Sequence, residues 1–87
     1  MIVLIQEFSE YLRIEKRNSP HTVEGYCRDL HRFAENFSTT EVSCLATADI
    51  RDFLMILRSR GLSPSSIARS LSAIKSFFRY LCQDLRV

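Results

Sequence analysis

Basic side chains carry the most legible chemistry in this chain. From Phe53 to Gln83 there is no Asp or Glu, yet the stretch holds Arg58, Arg60, Arg69, Lys75 and Arg79. A solvated helix ordinarily mixes Glu with Lys for solubility and i,i+4 pairing, so one-sided charge on this scale points to a polyanionic partner. Within the stretch, Ser65, Arg69, Ser72, Ser76 and Arg79 recur at helical spacing. Small hydroxyls between guanidinium groups let a helix backbone come close to a surface while arginine reaches phosphates and base edges. A solvated face filled with serine is the alternative. Lys75 stands on the flank, where it either snorkels beside the core or meets a phosphate. An earlier segment places His21, Gly25, Arg28 and Arg32 at i, i+4, i+7 and i+11. Glycine inside a helix costs roughly 0.5–1 kcal/mol relative to alanine. Either another molecule's backbone approaches there, or the position is an unconstrained surface.

Catalytic constellations are absent from the sequence. His21 and His31 lie ten residues apart, and no Ser/His/Asp or Cys/His set is legible. Two glycines cannot build a Gly-rich phosphate loop, and no H-E-x-x-H motif occurs. Glu7 with Glu10, and Asp49 with Asp52, sit at i,i+3 like ordinary solvated helix surface, without the apolar neighbours that a catalytic carboxylate needs. Cys27, Cys44 and Cys82 are odd in number and far apart, with no C-x-x-C spacing and no His at ligand distance. The chain is therefore expected to be non-catalytic and cytoplasmic, with no metal, cofactor or small-molecule substrate. Met1 to Ile5 is apolar, but Gln6 and Glu7 break the run far short of a membrane span, and no signal-peptide pattern follows.

The positioning scaffold has to be small. A chain of 87 residues is expected to form one domain, 1–87, burying roughly 60 % of its unfolded surface. Its 46 % hydrophobic and 25 % charged content is that of an ordinary globular protein, not a disordered or fibrous one. A net charge of +2 is weak in itself, but Glu7, Glu10 and Glu15 cluster near the start, away from the acid-free stretch. Such polarity orients a domain on a charged surface.

Four helical patterns and no sustained two-residue alternation predict an all-α, compact four-helix bundle. The first helix spans about 3–17, with Leu4, Ile5, Phe8, Tyr11 and Leu12 inward, and ends at Asn18. The second is capped by Ser19, opens on Pro20 and runs to about residue 37 behind Val23, Tyr26, Cys27, Leu30, Phe33, Ala34 and Phe37. A loop covers Ser38 to Ala46. The third takes Thr47 as cap and Asp49 in its first turn, buries Ile50, Phe53, Leu54 and Leu57, and stops at Gly61. The fourth repeats the Ser-Pro opening at Ser63 and Pro64, buries Ile67, Leu71, Ile74, Phe78 and Leu81, and reaches Asp84 or beyond. Free N–H groups at the two Ser-Pro starts favour anions, with Thr22, Ser65 and Ser66 as added hydroxyl donors, although capping alone also explains the pairs.

Ser19-Pro20-His21-Thr22, then Tyr26, Asp29-Leu30 and Phe33, resembles the S-x-x-T-x-x-x-Y-x-x-D-L-x-x-F signature of the N-terminal domain of tyrosine recombinases, the phage-integrase and Xer-type enzymes. Leu62-Ser63, Ser66, Ala68-Arg69, Leu71 to Phe78 and Tyr80-Leu81 resemble that domain's last helix. The likeness covers about Ile5 to Leu85. It implies a SAM-like core-binding domain that clamps one side of duplex DNA while a separate domain cuts and rejoins strands. By position it makes His21, Thr22, Arg28 and Arg32, with Ser65, Arg69, Ser72, Lys75, Ser76 and Arg79, the DNA contacts. Tyr26 is expected to pack in the core, and Asp29 to orient an arginine or cap a neighbour.

The family's catalytic arginine, lysine, His-x-x-Arg pair and tyrosine have no counterpart, so Tyr11, Tyr26 and Tyr80 are not nucleophiles. The chain ends at Val87, about where an interdomain linker would start, which implies a domain separated from its catalytic partner. The expected partners are double-stranded DNA and other recombinase subunits assembled on it. One competing expectation is a protein-interaction module docking an acidic partner on the Arg/Ser face. Another is subunit contact through apolar groups exposed from Tyr80 to Val87.

Overall fold

The computed structural model of the chain describes residues 1–37 and 41–83. These form α1 (Ile2–Ile14), α2 (Pro20–Asn36), a short 3-10 turn (Val42–Cys44), α3 (Thr47–Ser59) and α4 (Pro64–Gln83), the expected all-helical bundle. Its smallest dimension is 17 Å, about two helices thick. No described helix is long and apolar enough to cross a membrane. The expected reach of α4 to Asp84, and residues 38–40 of the loop, lie outside the described residues.

The two Ser-Pro starts form as expected, and for the same local reason. Ser19 Oγ accepts the N–H of Thr22 at 3.2 Å, and Ser63 Oγ accepts the N–H of Ser66 at 3.2 Å. Pro20 and Pro64 occupy first-turn positions whose N–H would have no helical partner. α3 starts differently. Thr47 is its first helical residue and not its cap; Ala46 takes the cap position, and Asp49 reaches back to accept the Ala46 N–H at 2.8 Å. The acceptor thus comes from inside the first turn, which leaves a cap side chain unnecessary.

Helix ends follow from backbone conformation. Gly61 at φ 84° ends α3, with Leu62 N–H donating to Leu57 O and Gly61 N–H to Arg58 O, the paired bonds of a Schellman motif. α1 ends at Ile14, short of the expected 17, because Arg17 turns left-handed at φ 52° and Asn18 N–H folds back onto Leu12 O at 2.9 Å. That reversal aims the chain into Ser19.

The core joins Ile5, Phe8 and Leu12 of α1 to Leu30, Phe33 and Ala34 of α2, Phe53 and Leu57 of α3, and five residues of α4. Phe8 meets Phe77 edge-on at 5.5 Å, and Phe33 meets Phe53 at 5.1 Å and 82°. α4 corrects the sequence expectation. Ser70, Ala73, Phe77 and Tyr80 are buried with Ile74 and Leu81, while Ile67, Leu71 and Phe78 are only partly covered. The reason is that α4 packs against α1, α2 and α3 alike, so its buried arc is wider than one stripe. Tyr80 and Leu81 are consequently unavailable as the exposed apolar surface expected from Tyr80 onward, and residues 84–87 lie outside the described set. Ser70 Oγ is buried with no hydrogen-bond partner among the described residues.

Two substitutions test this account by thermal unfolding. Gly61→Ala forces a Cβ into the left-handed region and is expected to cost about 1–2 kcal/mol. Ser70→Ala removes an unsatisfied hydroxyl and is expected to stabilise by about 1 kcal/mol, raising Tm by roughly 5 °C.

Candidate nucleic-acid interface

α2 and α4 pack directly against each other, which brings His21, Thr22 and Arg28 of α2 to one hollow with Arg69 of α4. At their junction lies an ion pair. Arg69 donates from Nε to Asp29 Oδ2 at 2.8 Å and from Nη2 to Oδ1 at 3.1 Å. The carboxylate is fully buried, whereas the arginine side chain is 43 % exposed. Asp29 therefore orients an arginine, one of the two roles expected for it, and Arg69 is not the unpaired surface cation that the sequence suggested. A guanidinium has five N–H donors, so three remain for a ligand. The hydrogen bond from Arg69 to Asp29, and then the charge of Asp29, raise the arginine's pKa above its ordinary range against a small opposing effect of burial. The stability contributed by the arginine's raised pKa is thus fully present below the usual arginine range and is lost as pH rises through the raised value.

Arg69 overlies Gly25, which is buried; of the two readings open for this glycine, the unconstrained surface position is the one the structure removes. A methyl group there would lie 4.0 Å from Arg69 Cδ and Nε, an ordinary contact. The bare backbone therefore lets the arginine lie low across α2 without being sterically required.

Around this pair, His21, Thr22, Gly25, Tyr26, Arg28 and Arg69 line a depression of about 250 Å³. Among the described residues no carboxylate lines it, because Asp29 lies beneath Arg69. A second depression, of about 270 Å³, takes Ser76 and Arg79 from α4 and shares Tyr26 with the first. Six of the ten expected contacts are thus brought to two adjoining hollows. Arg32, Ser65, Ser72 and Lys75 line neither hollow. Arg32 is half-buried on α2, while Ser65, Ser72 and Lys75 are exposed on α4. Thr22 has a second task, since its Oγ1 accepts from Ser19 Oγ at 3.0 Å within the cap. Tyr26 packs against the core as expected but also walls both hollows. Lys16, Asn18 and Gln83, which line the second hollow, were not among the expected contacts. Lys16 reads in sequence as outward surface of the first helix, and only its place just before the Ser19 cap could have flagged it. Cys27, Cys44 and Cys82 are all free thiols, and the described residues contain no cluster of potential metal ligands.

Residues 5–84 match the family model described as phage integrase, N-terminal SAM-like domain, and the chain belongs to that family. Among curated proteins it is 39 % identical over 85 residues to tyrosine recombinase XerD of Listeria innocua, covering 93 % of this chain and 29 % of the relative. It is 41 % identical over 80 residues to tyrosine recombinase XerC of Oceanobacillus iheyensis, covering 88 % and 26 %. With XerC of Pseudomonas aeruginosa it shares 36 % over 85 residues, covering 94 % and 28 %. The chain thus spans less than a third of the length of these relatives. No solved structure gives a significant match.

The Asp29–Arg69 pair makes an asymmetric prediction. Arg69→Met strands a buried carboxylate and is expected to cost about 2–3 kcal/mol, whereas Asp29→Leu leaves the arginine free to reach water and costs less. The Asp29→Leu/Arg69→Met double variant is expected to be more stable than Arg69→Met alone in denaturant titrations.

Proposed function

We propose that residues 1–87 act as a single duplex-DNA-binding domain, the core-binding domain of a site-specific tyrosine recombinase or integrase. Cutting and rejoining of strands then belong to another domain. The observation that carries this reading is the convergence of Arg28, Arg69 and His21, from two helices, in a hollow without carboxylates. Family membership and the relatives' names supply the recombination context. The proposed contacts are His21, Thr22, Arg28, Arg32, Ser65, Arg69, Ser72, Lys75, Ser76 and Arg79, with those lining the two hollows as the centre.

Mechanistically, each element has a physical task. Arg69, held from below by Asp29, offers its remaining N–H groups in a fixed plane, the geometry suited to phosphate oxygens. Arg28 adds a second cation from α2. The N-terminal turn of α2 contributes a positive dipole end close to His21 and Thr22. All of these meet backbone rather than base edges, so the domain binds with modest sequence preference. Its partners are duplex DNA and, on that DNA, further recombinase subunits.

Counterion release sets the test. If about four to six cations meet phosphates, log K against log salt is expected to fall with a slope of roughly −4 to −5. Arg28→Ala is expected to weaken binding equally across unrelated duplexes and to reduce that slope by about one. Fluorescence anisotropy with labelled duplexes measures both. Affinity no greater than that of a charge-matched unrelated helical protein at low salt would sink the reading. DNA binding untouched by Arg28→Ala, together with loss of an acidic protein partner, would favour the interaction module instead.

A further inference from the structure

The second hollow contains cations from two distant parts of the chain. Lys16 precedes the cap of α2, Arg79 lies near the end of α4, and both are exposed. Neither forms an ion pair with a carboxylate among the described residues. Asn18, Ser76 and Gln83 complete the polar rim with amide and hydroxyl groups. Lys16 Nζ stands 5.8 Å from the centre of the Tyr11 ring, a cation–π distance, and Tyr11 stacks on Tyr80 at 4.7 Å. Among the described residues, the ammonium's near partner is thus an aromatic wall and not an acid.

The acids lie beyond that wall. Glu7, Glu10 and Glu15 line a separate hollow that shares only Tyr11 and Tyr80 with the basic one. The tyrosine stack thus divides a region that repels anions from one that attracts them. The basic side offers two cations and several neutral hydrogen-bonding groups. That combination suits a phosphodiester flanked by sugar better than a bare carboxylate, which needs fewer neutral partners.

We propose that this hollow is a second backbone-phosphate subsite on the same duplex, with Lys16 and Arg79 as its clamp. The inference rests on the duplex-binding reading above and adds Lys16, Asn18 and Gln83 to it. Continuity points to the same occupant, since Tyr26 walls both hollows and the chemistry does not change between them. Spacing agrees. Arg69 and Arg79 are ten residues apart on one helix, which at a 1.5 Å rise per residue is about 15 Å along the axis. A major groove is about 12 Å wide, so the two clusters suit phosphates of opposite strands on either side of one groove.

The experiment uses the whole chain and a labelled duplex of about two helical turns, titrated at several salt concentrations. Lys16→Ala is expected to retain the wild-type melt, lower affinity about fivefold and reduce the salt slope by about one, with Lys16→Arg restoring both. Amide signals of residues 16–18 and 76–83 are expected to move with those of residues 21–28. If Lys16→Ala binds like wild type while Arg28→Ala is weakened, the subsite is wrong and duplex binding stands. If wild type fails to bind duplex at all, both fall together.

Discussion

A carboxylate removed from water needs a partner, and Asp29 has one. Its two oxygens are committed to Arg69 across the α2–α4 junction, and that requirement fixes much else. It sets which residues of the two helices face each other, and it draws the arginine down across Gly25. The same bond holds a long, rotamer-rich side chain in one orientation, so that on the proposed reading less ordering entropy would be lost when a phosphate binds. One interaction thereby serves packing and, on the proposed reading, recognition as well.

The rest of the bundle secures that junction. α4 touches all three other helices, and its aromatic residues tie α1 on one side to α2 on the other, through Phe8 with Phe77 and Phe33 with Phe78. The Schellman turn at Gly61 and the Ser63 cap deliver α4 at its starting point, while Ser19 and Pro20 do the same for α2. In a domain of this size no separate scaffold is affordable, so the helices that build the core also present the cations.

Much of this is local information, and local information is legible in sequence. Ser-Pro openings, the left-handed glycine and the acid-free arginine run each depend on a few neighbouring residues, and each appears where expected. What escaped depends on contacts between distant residues. Asp29 and Arg69 are 40 positions apart, so the choice of Arg69 over Arg28 as its partner is a product of the fold. The core face of α4 escaped for a related reason. A helix with three neighbours buries Ser70 and Ala73 as readily as isoleucine, and hydrophobicity does not mark them. Lys16 belongs to α1 by periodicity but joins the surface of α2 and α4 once the chain reverses at Arg17.

The Tyr11–Tyr80 ridge has an effect that begins before any contact forms. With negative groups on one flank and positive groups on the other, the molecule carries a lateral electrical moment. A long rod of negative charge exerts a torque on such a body at distances up to the screening length, roughly 8–10 Å at physiological ionic strength. On the proposed duplex-binding reading, encounters that begin with the wrong flank forward are rotated or pushed away, so fewer collisions are wasted.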